Sequence, residues 1–394
     1  MPEVSLVSNL YIVAVIGALL SPAVWSLVFG LLALHTKESE RTAHWTMYIR
    51  RMRVLNLLAV PAWWSLSGAF SECVAKRNST LDLPEWVFLV APLCLGIAVA
   101  RFVTCAFDGE IVGRRWTVTD LFRLSFWSTV STTLPLLTLA GGIDAVYERN
   151  MVGVLWVGCA GILALIGKMR LRTAEGLNPR VVKSGELFRR SFAMAKRTGV
   201  RLRRVFVVPV GRGRLLNAWG GGGSITMTDV CIHWLHGAQL DFVIGHELAH
   251  IQQKHGWRNL RIAGAVYAGI AALTLAVPHL PFIWRVFFKF GVILIPLLVF
   301  YSVSRRFEFA ADRTALEFTG EGEIAIRALA TLYFRSGVPA NCNNFDEMFM
   351  THPSLWRRID AIARVGQVPI ECETSFRKQF NERADDFNLP HGPE

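Results

Sequence analysis

Apolar and polar positions divide this chain into long hydrophobic blocks separated by two polar stretches. Leu10 to Leu34 is an apolar run without a charge, longer than the roughly 20 residues that cross a bilayer. Four more blocks follow at 54–70, 86–107, 121–142 and 151–168, and two further ones at 262–280 and 283–303. The last two are joined by a tight turn at Pro278-His279-Leu280-Pro281. These blocks predict about seven transmembrane helices, of which the second and fourth carry Ser, Thr, Pro and Gly and are the least apolar. The first block has no basic leader and exceeds a signal-peptide core in length, which predicts a retained anchor.

The polar stretch between the fifth and sixth blocks predicts mixed structure. Lys183 to Arg197 has the apolar stripe of a helix, through Leu187, Phe188 and Phe192. Val205-Phe206-Val207-Val208 reads as a strand, and Leu215 to Ala218 leads through Trp219 and Gly220–Gly223 to Ile225-Thr226-Met227-Thr228. That pattern predicts paired strands with a glycine-rich tip or a site of close backbone approach. No Gly-Lys-Ser/Thr follows the glycines, so they are not a phosphate loop. Beyond the seventh block, helical periodicity runs through 304–318, 321–336 and 354–365, and the tail after Gln367 is polar.

Composition supports the membrane reading. Of the 394 residues, 52% are hydrophobic and 18% charged, against roughly 25% charged in soluble domains. The mean hydropathy is +0.36 and the pI about 9.7. The formal net charge is +12, but no basic patch on a nucleic-acid-binding fold accompanies it. Lys37, Arg41, Arg50, Arg51 and Arg53 crowd the first loop, against Lys76 and Arg77 in the second. Arg114 and Arg115 mark the third loop, Arg149 alone the fourth, and the stretch from Lys168 to Arg261 is densely basic. The positive-inside rule then places the N-terminus outside and the polar stretches in the cytoplasm. Asn78-Ser79-Thr80 is a sequon on the outer side. The seven cysteines are scattered, with no CxxC pair, which predicts reduced, mostly buried thiols. Arg outnumbers Lys, which points to a GC-rich bacterial genome.

Candidate chemistry begins at His246-Glu247-Leu248-Ala249-His250, an HExxH sequence on an expected helix. At 3.6 residues per turn, His246 and His250 share one face and can hold a single Zn²⁺. Glu247 lies beside the first histidine without facing the ion, where a general base for hydrolysis belongs. A pattern this short also arises by chance in about one chain in a hundred of this length. A third ligand separates the two readings. Glu308 and Asp312, in Glu308-Phe309-Ala310-Ala311-Asp312, fall one turn apart just after the last apolar block. Glu308 can complete a His₂Glu set, and Asp312 can accept the free ring N–H of one histidine. The alternative is a solvated helix face paired with Arg305, Arg306 or Arg313.

HELAH followed by EFAAD resembles the gluzincin family that includes the type-1 CAAX prenyl proteases and HtpX-type membrane peptidases. Asn217-Ala218 resembles that family's substrate-strand pair, and Thr351-His352-Pro353-Ser354 with Arg358-Ile359 resembles its C-terminal element. The similarity covers roughly 200–365. It implies zinc on His246, His250 and Glu308, with Glu247 as base and proton shuttle. It further implies Asn217 and Ala218 at the substrate backbone, and Arg358 and His352 on the leaving-group side, His352 donating to the oxyanion. Seven spans match the layout of the prenyl proteases, but the chain is shorter than those and no motif reads a prenyl group. His255 and His233 match no family position and read as structural or solvated.

The expected fold is therefore mainly α: a polytopic membrane protein with about seven transmembrane helices and a cytoplasmic α+β gluzincin zinc-peptidase domain. Residues 1–168 form the membrane region with five spans, and 169–261 the first half of the peptidase domain with the HExxH helix. Residues 262–303 form a transmembrane hairpin, and 304–394 the second half with the ExxxD helix and the THPS element. The expected partners are a peptide or membrane-protein substrate and the lipid bilayer, without nucleic acid. The expected location is the bacterial cytoplasmic membrane, or the ER membrane in a eukaryote, with the active site facing the cytoplasm. Two rival readings are a ligand-regulated signalling protease with one dedicated partner and a non-catalytic scaffold. The short outside loops oppose the first, and the intact Glu247 opposes the second.

Overall fold

The structure is a computed structural model that describes residues 2–75, 85–113, 116–147, 150–174, 178–210, 216–276, 282–336, 338, 340, 342–369 and 374. The turn at Pro278–Pro281, the sequon at Asn78–Thr80, the loop cations from Lys76 to Arg149 and most of the tail beyond Gln367 lie outside the described residues. Those residues are mainly helical, with one small sheet. In chain order the first six helices are α1 (Pro2–His35), α2 (Glu38–Ala75), α3 (Glu85–Val112), α4 (Val118–Ser131), α5 (Thr133–Tyr147) and α6 (Val152–Ala174). Strand β1 (Arg180–Val182), helix α7 (Glu186–Thr198) and strands β2 (Arg204–Val208), β3 (Ala218–Gly221) and β4 (Ser224–Thr228) follow. Then come α8 (Asp229–Trp234), α9 (Ala238–Gln252), α10 (His255–Ala276), α11 (Phe282–Thr319), α12 (Gly322–Arg335), α13 (Asn344–Met348) and α14 (Leu355–Val365).

Two compact units divide the chain. The first takes in Met1–Leu32, Tyr48–Glu175 and Gly264–Leu297. Among the described residues, four helical segments are long and apolar enough to cross a membrane: Val15–His35, Ala91–Val112, Val152–Leu171 and Phe290–Thr319. The block expected to form one span at 121–142 is instead two helices, α4 and α5, broken at Thr132. The reason is local. Pro135 has no N–H for the Ser131 carbonyl four residues back, and its ring crowds that carbonyl. The hydroxyls of Ser131 and Thr132 both turn onto the Ser128 carbonyl, at 3.0 and 2.7 Å. With 14 and 15 residues, neither helix alone spans the roughly 30 Å hydrocarbon core at 1.5 Å per residue.

The second unit gathers Ala33–Met47, Gly176–Ala263 and Leu298–Glu394. Its sheet has the order β1-β2-β4-β3, with β2 and β4 parallel and the outer pairs antiparallel. Helix α7 starts at Glu186 rather than at Lys183, because Gly185 at φ 97° turns the chain there. The β3–β4 hairpin closes through Gly222 and Gly223, at φ 59° and 78°. Two successive positive φ values match the twist of a tight hairpin and strongly favour glycine. Val205, Ile225 and Met227 from the sheet are fully buried in one cluster with Ile244 and Leu248 of α9, Ala315 of α11, Leu329 of α12 and Leu355 and Ile359 of α14. That cluster fixes α9 against the sheet on one side and against α11 and α12 on the other. β3 is the edge strand, and its outer side pairs with no strand among the described residues.

Among the described residues no disulfide joins Cys94, Cys105, Cys159, Cys231 or Cys342; Cys105 and Cys231 are buried and Cys159 is exposed on α6. The expectation of mostly buried thiols therefore does not extend to Cys159, which sits on an apolar helix whose outer face the protein leaves uncovered.

Candidate metal centre and active site

Helix α9 carries His246 and His250 one turn apart, and both rings turn toward Glu308 on α11. Their Nε2 atoms face each other at 3.1 Å. His246 Nε2 is 3.6 Å from Glu308 Oε2, and His250 Nε2 is 3.4 Å from Glu308 Oε1. Among the described residues these three form a group of potential metal donors, all within 4.8 Å of one another. His246 and Glu308 are buried.

The donor set fits zinc. Tetrahedral ligands at 2.0–2.1 Å from one ion stand roughly 3.3–3.4 Å apart, close to the observed triangle. Glu308 Oε2 is buried and makes no aligned hydrogen bond, although His352 Nδ1 comes within 2.8 Å and Arg358 Nη1 within 3.5 Å of it. Those contacts are ion pairs of poor direction, and the oxygen is left for a further partner. Burial alone pushes the His246 pKa down, but the carboxylates of Asp312 and Glu308 outweigh it and raise it to about 10. In the metal-free protein a proton therefore sits where a cation is wanted.

Asp312 stands behind His246, its Oδ1 2.9 Å from Nδ1. The contact is close but off the ring N–H direction, since that nitrogen makes no aligned hydrogen bond. Arg358 of α14 grips the other side of Asp312 with a two-pronged fork, Nε to Oδ2 at 2.8 Å and Nη2 to Oδ1 at 2.6 Å. Burial disfavours the Arg358 cation, but Asp312 first, then Tyr333 and Glu308, hold its pKa well above the usual value. Arg358 is itself buried, so the structure sets it as the brace of Asp312 rather than open toward a leaving group.

Glu247 is buried beneath strand β3. A Cβ on Gly220 would collide with the Glu247 carbonyl oxygen and come within 2.9 Å of its Oε2. Only glycine lets the edge strand lie this close to the candidate base. Asn217 and Ala218 open that strand. The Asn217 side chain accepts from the Ala218 N–H at 2.9 Å, and its backbone pairs with Thr228, the N–H donating to Oγ1 and the carbonyl accepting from N.

His352 is half-exposed and reaches Glu308 with Nδ1. The loop that presents it is pinned by Glu347, a buried carboxylate not singled out from the sequence. Its Oε1 accepts from the Ser354 N–H at 3.1 Å and its Oε2 from Arg357 at 2.7 Å. Arg305 ties the same loop to α11 by donating to the carbonyls of Glu347, Met348 and Met350.

His255 is also placed by the structure. It is buried rather than solvated, stacked on Phe307 with ring centroids 4.2 Å apart. Burial first, and the neighbouring His250 next, push its pKa down to about 3. Its position depends on Lys254, at φ 53°, which breaks the helix between α9 and α10 and folds His255 back on His250. The sequence gives no sign of a left-handed lysine, and this is why spacing alone missed the contact.

Residues 183–365 match the model of Peptidase family M48. Over 214 residues the chain is 25% identical to a Protease HtpX homolog of Acaryochloris marina, covering 44% of this chain and 70% of that one. A Protease HtpX homolog of Pyrococcus furiosus is 25% identical over 231 residues, covering 48% of this chain and 77% of the other. The crystal structure of S. mikatae Ste24p has a TM-score of 0.53 at 17% identity, covering 92% of this chain and 99% of that one, a likeness of fold alone. The candidate donors, the buried base and the Asp312 brace all lie within the matched segment. Residues 183–365, just under half of the chain, thus match peptidase family M48, the gluzincin group that its HExxH and ExxxD sequences resemble.

Proposed function

We propose that this protein is an integral-membrane zinc metalloendopeptidase acting on membrane-associated or cytoplasm-exposed polypeptides. The observation that carries the reading is the meeting of His246, His250 and Glu308, from two helices far apart in sequence, beside a buried Glu247 under an open strand edge.

Zinc held there would polarise the scissile carbonyl and acidify an attacking water. His246, His250 and Glu308 would hold the ion, and Asp312, held by Arg358, keeps the His246 ring in place. Glu247 takes the proton from the water and later gives it to the leaving amine. The outer edge of β3 pairs with an extended substrate backbone by strand addition, so Asn217 and Ala218 set where that backbone begins. With Nδ1 turned to Glu308, His352 keeps its other ring nitrogen for the developing oxyanion.

The membrane arrangement follows the apolar blocks and the distribution of Lys and Arg: about seven spans, the fourth supplied by α4 and α5 together, the N-terminus outside, and both halves of the peptidase domain in the cytoplasm. A hairpin at 262–303 separates those halves in sequence. The substrates are those of quality control or of CAAX-type processing.

Glu247→Gln tests the chemistry. It is expected to keep zinc and the fold while cleavage of a membrane-protein substrate falls by roughly 10²–10⁴-fold. Comparing membrane proteomes with wild-type and Glu247→Gln protein would show the accumulating substrates. Full cleavage by Glu247→Gln would remove the assignment.

A further inference from the structure

His246 has a visible orienting arm in Asp312 and Arg358, but among the described residues His250 has no carboxylate behind its Nδ1. Its Nδ1 meets instead the Nδ1 of His255 at 2.7 Å. Two neutral imidazole nitrogens make a hydrogen bond only if one carries a proton and the other a lone pair. The surrounding contacts decide which.

Gln253 ends α9 with its amide nitrogen 2.8 Å from Thr314 Oγ1 and 3.5 Å from the Ala310 carbonyl oxygen. A carbonyl only accepts, so the NH₂ end of Gln253 belongs on that side and its Oε1 faces His255. His255 Nε2 lies 2.8 Å from that Oε1 and donates to it. The proton of neutral His255 is then on Nε2, and its Nδ1 offers a lone pair. His250 must donate from Nδ1, which leaves its own lone pair on Nε2. That is the atom facing His246 Nε2 and Glu308.

The relay is built into rigid parts of the fold. His255 is 3% exposed and stacks almost flat on Phe307, with 6° between the rings. Phe307, Ala310 and Thr314 flank Glu308 on α11, so the helix that supplies the third donor also anchors the relay. His255 is not a further ligand of the same ion, because it touches His250 on Nδ1, the nitrogen that does not face the other donors.

We propose that Gln253 and His255 are positioning residues that fix the tautomer and ring orientation of His250, so that Nε2 is presented to the metal. This rests on the zinc site proposed above. The test uses the full chain in detergent, with zinc affinity measured by competition with a chromophoric chelator and the melting of the metal-free protein followed alongside. His255→Leu removes the acceptor, whereas the smaller side chain of His255→Asn puts a carbonyl oxygen near the place of Nδ1.

His255→Leu is expected to bind zinc about 10–100-fold more weakly, with His255→Asn close to wild type. Equal affinity in His255→Leu and wild type would overturn the relay, and so would an equal loss in His255→Leu and His255→Asn. Should His255→Leu unfold the metal-free protein, Gln253→Leu asks the same question one bond farther out. It is expected to weaken zinc binding with His255 in place, and wild-type affinity there would count against the relay. Wild-type protein that takes up no zinc would sink the metal site itself, a different result from a wild-type site indifferent to His255.

Discussion

Removing the Arg358 guanidinium tests how the site is braced. Arg358 is 5% exposed and Asp312 1%, and two bonds of 2.8 and 2.6 Å join them. In Arg358→Leu the Asp312 carboxylate stays buried against the His246 ring, without the guanidinium that offsets its charge. Stripping one partner from such a pair costs about 3–5 kcal/mol, mostly for the charge left behind. For a domain of 150–250 residues 1 kcal/mol is roughly 2–4 °C of melting temperature, so the fall is on the order of 10 °C. Arg358→Lys restores the charge without the fork and should fall between Arg358→Leu and wild type. Arg358→Leu combined with Asp312→Leu removes both charges and should lose less than the two single changes added together. Melting of the purified chain in detergent reads all five proteins, the Asp312→Leu single variant included. An Arg358→Leu variant that melts with wild type, or a double variant whose loss is the simple sum, would refute the brace.

Two further outcomes follow from the same geometry. Gly220→Ala drives a methyl group into the Glu247 carbonyl, a backbone atom that cannot swing aside, so it should cost roughly 1–3 kcal/mol and depress turnover. Thermal melts and cleavage rates together check this, and an active, fully stable Gly220→Ala would contradict the packing of β3 on α9. The second concerns protons. The folded pKa of His246 is raised to about 10 from an ordinary 6.5. Its cation therefore stabilises the metal-free protein fully below pH 6.5, and that contribution is lost as pH rises through about 10. Zinc uptake at pH 8 should then release about one proton from this ring, readable with an indicator dye in weak buffer. Uptake without proton release would show that the ring is already neutral.

What the sequence disclosed and what it withheld divide along physical lines. HExxH and ExxxD are readable because one helical turn brings residues four apart to the same face, a local rule that tertiary packing does not alter. The β3–β4 hairpin was equally legible from its glycines. The bracing role of Arg358 was not, since its partner lies 46 positions away and a helix arginine looks the same whether it brace a buried carboxylate or point into water. His255 was hidden by the left-handed Lys254, Glu347 by lying in a five-residue helix without periodicity. β1, with three residues, is too short to show alternation. The break at Thr132 did have a signal, Pro135 within an apolar block, which the hydropathy of the block concealed.

The central claim is that donors from α9 and α11 bind one ion. Metal analysis of the purified chain tests it most directly, with His246→Ala and Glu308→Ala beside the wild type. The expected result is about one zinc per wild-type chain and little in either variant. Wild-type protein without stoichiometric zinc, or Glu308→Ala that retains it fully, would contradict the account.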